Sequence, residues 1–187
     1  GLIVPSGKGR NFEANVRRLL VDQIELSSIL LPMLDAWRDI RMRVTDLTKQ
    51  LLASARKSRA CRLLMTVPGV GAITATSFAT AVEDPNNFKN SRAVGAWLGL
   101  TSRRYQSGEV DYSGRVSRRG DRHLRGLLYE AALVILTRSK MQSDMRTWAL
   151  KLKERVGTKR AAVALARKLA VTMHAMLKTG SAFNPTA

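Results

Sequence analysis

The sequence predicts a mainly α protein: a long coiled-coil helical arm followed by a compact helical domain that holds a helix-hairpin-helix and a short β-hairpin or loop. Three observations carry this. A heptad stripe runs from Val16 to Leu51, glycine and proline punctuate helix-length apolar segments from Cys61 onward, and residues 102–125 alone offer almost nothing to bury. The expected divisions are residues 1–59, an N-terminal segment and arm, and residues 60–187, the compact domain.

In the arm, Val16, Leu19, Gln23, Leu26, Leu30, Met33, Trp37, Ile40, Val44, Leu47 and Leu51 fall at successive a and d positions, and of these Gln23 is the polar one. So narrow a stripe asks for a partner helix, and predicts a homo-oligomer through residues 16–51. An ordinary amphipathic helix lying on a globular core is the plainer alternative. Pro32 lies off the stripe and is expected to kink the helix or to start a second one after Ser27 and Ser28.

Residues 61–82, CRLLMTVPGVGAITATSFATAV, read as a helix ending near Thr66, a tight turn, and a second helix from about Ala72. In this helix-hairpin-helix, Pro68, Gly69 and Gly71 form the turn, and its glycines would leave amide N–H groups free to hold a nucleic-acid phosphate without reading sequence. A helical turn that needs glycine for close packing is the alternative. EDPNNFKN, residues 83–90, is a loop; Ser91 is expected to cap a short helix whose Trp97, Leu98 and Leu100 enter the core. Asp121 should cap a helix to about Thr137, and its apolar centre LLYEAALVIL marks it as the buried central helix. A helix from Asp144 to Val156 should break at Gly157. Thr158 is expected to cap the last helix, which stops at Gly180 with Lys178 in its final turn. A hairpin is expected between Arg104 and Val116.

Charge narrows the partner. With 32 Lys and Arg against 14 Asp and Glu, the 187-residue chain carries a net charge of +18 and a pI near 11.3. Such an excess opposes compaction and is tolerated when a polyanion neutralises it. The basic residues are spread along the chain instead of clustering beside one apolar segment, and no apolar run approaches the ~20 residues of a membrane span. Nucleic acid is therefore the expected partner and a membrane is not. One cysteine, Cys61, excludes an internal disulfide and a cysteine-based zinc site, and two histidines, His123 and His174, exclude a histidine-rich one. The chain opens at Gly1 without Met and shows no signal peptide, which reads as a piece of something longer.

Residues 102–125 bring Arg103, Arg104, Arg115, Arg118, Arg119, Arg122 and Arg125 together with Ser-Gly pairs at 107–108 and 113–114. Arginine forks suit phosphate oxygens, and a serine beside glycine has little steric cover. A hydroxyl near an arginine-held phosphodiester can attack phosphorus. The stretch is either a phosphate-binding loop or a serine nucleophile; composition alone favours plain binding, since Ser-Gly pairs commonly make turns.

VPGVGAITA, AVGAWLGLTSRRYQSG, GRVSRRGDRHLRGLLYEAAL and ARKLAVTMHAMLKTG, in that order, resemble the transposase domain of the insertion-sequence-one-ten family. These are the DEDD transposases, also called bridge recombinases. The resemblance covers about residues 60–187, and the heptad arm fits the family's coiled coil. It implies DNA and a guide RNA as partners, and a bacterial cytoplasmic, nucleoid-associated setting. It also implies that Ser107 is the nucleophile, forming a phosphoserine link to DNA. Arg103, Arg104, Tyr105 and Gly108 match the same Arg-Arg-Tyr-x-Ser-Gly segment. Ser117, Gly120, Leu124 and Arg125 match its Ser-Lys/Arg-x-Gly-x-x-x-Leu-Arg continuation. Arg115, Arg118 and Arg119 join these as expected phosphate contacts, within a catalytic loop of about residues 101–120. Ser113 and Ser117 become poorer candidates for the nucleophile, and His123 as its base competes with simple phosphate contact.

The sequence departs from the family's pattern at Ser102, where proline often follows Gly-Leu-Thr. The family also carries an N-terminal RNase H-like domain whose four carboxylates hold metal ions, and no strand-rich segment here corresponds to it. Divalent metal, Mg, is expected in that absent domain, with no metal or cofactor in this fragment. Glu83, Asp84, Glu109, Asp111 and Asp121 read as caps and local ion pairs. Alone, the fragment should bind nucleic acid and recombine poorly. A non-catalytic helix-hairpin-helix module of a repair or junction-recognising protein is the alternative.

Overall fold

The computed structural model describes residues 2–186 and is mainly helical, with eight α-helices and one two-stranded sheet among those residues. The chain forms two compact units, one up to Gln50 and the other from Leu51.

In the first unit, α1 (Arg10–Leu19) packs on α2 (Ile24–Lys57), whose last residues continue past the division. Val16, Leu20 and Leu34 make a small buried core, flanked by Leu30 and Leu31. Trp37 meets Phe12 edge-on and lies under the Arg41 guanidinium, 4.6 Å from the ring centroid. Arg17 bridges Glu13 at 2.9 Å and Asp35 at 2.5 Å across the two helices. The break in the helical run falls at Leu20–Gln23, where the Ser27 hydroxyl donates to the Leu20 carbonyl. Pro32 does not start a helix: α2 runs through it. The helix begins earlier, at Ile24, where the chain leaves the Leu20–Gln23 turn, so Pro32 lies inside it. Val16 and Leu19 therefore belong to a different helix from the rest of the heptad frame. Along α2 the frame continues, and Met33 (62% exposed), Ile40, Val44 and Leu47 (63%) face solvent.

The second unit has one continuous core. It is built by α3 (Arg59–Leu64), α4 (Ala72–Val82), a 3-10 turn at Pro85–Asn87, α5 (Ser91–Trp97), α6 (Arg122–Thr137), α7 (Asp144–Val156) and α8 (Thr158–Thr179). The central helix is α8, which packs against α3, α5, α6 and α7. The expectation for α6 is corrected here. Alanines 161, 162, 166 and 170 are all buried on α8, against which four other helices pack. Trp97 also departs from expectation: it is 39% exposed and packs edge-on against Phe88, whereas Leu98 and Leu100 are buried.

Caps follow local chemistry. The Asp121 carboxylate accepts from the His123 and Leu124 amides at 2.7 and 3.1 Å, as expected. The cap of α5 is Asn90, not Ser91, and α8 starts from Gly157 at φ +80, with Thr158 already helical. Ser91 has another task. Its hydroxyl lies 2.9 Å from His174 Nδ1, while Nε2 of the same ring lies 3.0 Å from the Pro85 carbonyl. His174 is fully buried on α8, and burial pushes its pKa below the usual 6.5, so the ring ties the Asp84–Ser91 loop to the core as neutral imidazole.

Candidate active site and nucleic-acid interface

Strands β1 (Ser102–Ser107) and β2 (Val110–Val116) pair antiparallel, Ser102 with Val116, Tyr105 with Tyr112, and Ser107 with Val110. Gly108 takes φ +55 at the first central position of the two-residue turn, a conformation that favours glycine. Every β1 residue is exposed. The hairpin thus projects without a core of its own, and an isolated pair of strands is marginally stable.

Alternation sorts its side chains. Tyr105, Ser107, Val110 and Tyr112 share one face; Arg104, Gln106, Asp111 and Ser113 share the other. On the first face the two tyrosines stack, with centroids 4.9 Å apart and planes 18° from parallel. Gly114 makes room for this: a Cβ there would stand 2.6 Å from Tyr105 Cε2. On the second face Arg104 is engaged by Asp111, with Nε to Oδ1 at 2.8 Å. That pair holds the Asp111 carboxyl below its usual range and raises the Arg104 pKa. Arg103 reaches back to the Ser117 carbonyl at 3.3 Å.

Ser107 therefore stands at the tip, one residue pair beyond the tyrosine stack. Its hydroxyl has no hydrogen-bond partner among the described residues. Arg103 is four residues away along β1, about 13 Å at the strand rise. The pairing puts Arg104 on the opposite face from Ser107, and neither guanidinium is beside the hydroxyl. Among the described residues no three His, Cys, Asp or Glu side chains converge.

The foot of the hairpin is a clasp. Ser117 N–H donates to the Thr101 carbonyl at 2.8 Å and Arg118 N–H to Gly99 at 3.1 Å. Gly99 and Gly120 both have positive φ, and their missing Cβ atoms would stand 2.0 Å from the Arg119 carbonyl oxygen and 2.1 Å from that of Trp97. No other residue lets the two backbones approach so closely. Arg125 Nη1 then donates to the carbonyls of Leu98, Arg119, Gly120 and Asp121 at 3.0 to 3.3 Å. Sequence reasoning missed this. Arg125 sits in the first turn of α6, four residues after its cap and directed at the carbonyls of the preceding loop, and that placement was the available signal. Arg115, Arg118 and Arg119 expose their side chains around the foot. Arg118 holds φ +56, unusual outside glycine.

At the Pro68–Gly71 turn the glycines divide. Gly69 has φ +78, and a Cβ there would stand 2.6 Å from the Ala131 carbonyl oxygen on α6, so this glycine serves packing. Gly71 precedes α4 and faces open space. Its surroundings leave the α4 N-terminus open to an anion. No helix among the described residues is long and apolar enough to cross a membrane.

Comparison with known proteins agrees with the transposase resemblance. Residues 61–147 match the family described as Transposase IS116/IS110/IS902 family. The chain is 30% identical over 161 residues to a "Probable family 20 transposase" of Pseudomonas aeruginosa, covering 86% of this chain and 48% of that protein. It is 36% identical over 135 residues to the "Transposase for insertion sequence element IS1111A" of Coxiella burnetii, covering 72% and 37%. With the "Transposase for insertion sequence element IS1328" of Yersinia enterocolitica it shares 32% over 143 residues, covering 76% and 43%. The aligned part of the chain thus spans half or less of each of these relatives. The matched segment contains the turn, the hairpin and the clasp, so the likeness to IS116/IS110/IS902 family transposases takes in the candidate site.

Proposed function

We propose that this chain supplies the serine nucleophile of an insertion-sequence transposase, with Ser107 as that residue. The observation that carries this is the placement of an unpartnered hydroxyl at the tip of a projecting hairpin, beside a stacked pair of tyrosines and above a rigid clasp. Ser107 Oγ attacks a DNA phosphorus, an Oγ–P bond forms, the bond to the leaving sugar oxygen breaks, and that oxygen takes up a proton. Tyr105 and Tyr112 present aromatic surface on which a base near the scissile phosphate stacks. Arg115, Arg118 and Arg119 hold flanking phosphates, and Gly71 with the α4 N-terminus meets backbone elsewhere. A divalent metal held by residues outside this chain would help to remove the Ser107 proton and to stabilise the attacked phosphate. A guide RNA is the proposed second nucleic acid. The exposed heptad face of α2 is proposed to pair with a second copy, because strand exchange requires more than one nucleophile.

Arg104 held by Asp111 and the lack of a base beside Ser107 favour the binding-module reading. The two readings part on one experiment. This chain, combined with a metal-bearing transposase region, RNA and labelled DNA, is run on a denaturing gel as wild type and as Ser107→Ala. A protein–DNA adduct lost in Ser107→Ala while affinity stays unchanged is the expected result. An adduct that survives the substitution refutes Ser107, and no adduct in wild type leaves the binding module.

A further inference from the structure

A cleft of about 540 Å³ opens where the hairpin's foot, Ser102 and Val116, meets Trp148 of α7 and Arg160, Arg167 and Lys168 of α8. We propose that it binds an unstacked nucleotide of single-stranded nucleic acid, the base against Trp148 and the apolar floor and the phosphates on the arginines. The proposal extends the strand-transfer reading by giving a route to the strand that leaves Ser107, five residues or about 17 Å along β1 from the cleft.

Several observations fit this occupant. The floor is apolar, from Leu100, Val163 and Val171, and no carboxylate lines the cleft. Trp148 is 39% exposed and is held at the wall by Lys168, whose Nζ lies 4.8 Å from the ring centroid. Arg160, Arg167 and Lys168 have no ion-pair partner among the described residues. The stem of Arg167 lies on Gly95 of α5, where a Cβ would come within 3.1 Å of Arg167 Cγ, so the fold fixes the base of this side chain at the cleft. Three unneutralised cations beside an aromatic surface suit a ligand that is both anionic and flat. The volume falls within the roughly 300–1,000 Å³ of sites that enclose small ligands. A continuous duplex keeps its bases stacked and cannot present one to Trp148, which is why the cleft favours single strands.

The test titrates the 187-residue chain with a short fluorescein-labelled oligothymidylate and with the same strand annealed to its complement. Trp148→Leu keeps apolar bulk and removes the ring; Arg160→Gln with Arg167→Gln removes two charges and keeps the Arg167 stem. Circular dichroism checks that both variants retain the wild-type fold and Tm. Trp148→Leu is expected to weaken single-strand binding about 5- to 150-fold, with duplex affinity nearly unchanged. The glutamine pair is expected to lower the single-strand salt slope by about 1.4. Equal losses on both probes, or no loss on either, overturn the proposal. Reduced self-association with unaltered single-strand affinity also overturns it and makes the cleft a protein interface. A failed adduct assay with an intact Trp148 effect sinks the nucleophile and not the cleft, and the reverse result does the opposite.

Discussion

Arg125 separates two physical roles that its sequence position left merged. As a phosphate ligand it would contribute to binding and little to stability; as the clasp of the hairpin's foot it would do the reverse. Its Nη1 carries two protons and reaches four carbonyls, so the geometry amounts to two shared charge-assisted hydrogen bonds. Each such bond contributes about 1.5–3 kcal/mol. Water can rehydrate the exposed carbonyls of Arg119, Gly120 and Asp121 once the guanidinium is gone, but not the carbonyl of buried Leu98 as readily. The expected loss for Arg125→Gln is therefore about 2–4 kcal/mol. For a chain of this size that corresponds to a fall in Tm of roughly 5–15 °C by far-ultraviolet circular dichroism. DNA affinity, measured by anisotropy across a salt series at a temperature where both proteins are folded, should keep its slope. An unchanged Tm together with a slope lower by about 0.9 would refute the clasp and restore Arg125 as a phosphate contact.

Other expectations follow from the same geometry. Gly99→Ala and Gly120→Ala place a Cβ onto a facing carbonyl at positive φ, and each should destabilise by at least about 2 kcal/mol in urea unfolding. Gly69→Ala should destabilise through the Ala131 carbonyl while Gly71→Ala, in open space, stays within about 0.5 kcal/mol of wild type. His174 has its pKa lowered by burial, opposed by its bond to the Pro85 carbonyl and aided by Lys178. The unfolded chain then binds the extra proton first, so stability is full above about pH 6.5 and declines below it until the folded ring itself protonates. Tm measured from pH 7 to 5 should fall, and His174→Gln should flatten that segment of the profile. On the arm, Val44→Glu with Leu47→Lys should convert an oligomer to monomer by sedimentation, leaving the helical signal in place.

Several element positions were legible because they depend on local chemistry: Asp121 as a cap, Gly157 and Gly180 as breaks, and a hairpin between Arg104 and Val116, which the structure begins at Ser102, follow from neighbours in the chain. The charge excess and the order of the family's motifs also lay in the sequence itself. Tertiary structure decided what depends on distant backbones. Gly69 and Gly71 look alike in VPGVG, and only the approach of α6 makes one a packing glycine and the other an open amide. α6 looked central by its apolar content, whereas the burial of the small residues of α8 depends on the four helices that pack against it. Arg103 and Arg104 are adjacent in sequence, yet Asp111 engages Arg104 while Arg103 reaches back to the Ser117 carbonyl. The cleft at Trp148 joins residues from 100 to 171, and no local pattern contains it, because its walls meet only when the hairpin's foot packs beside α7 and α8.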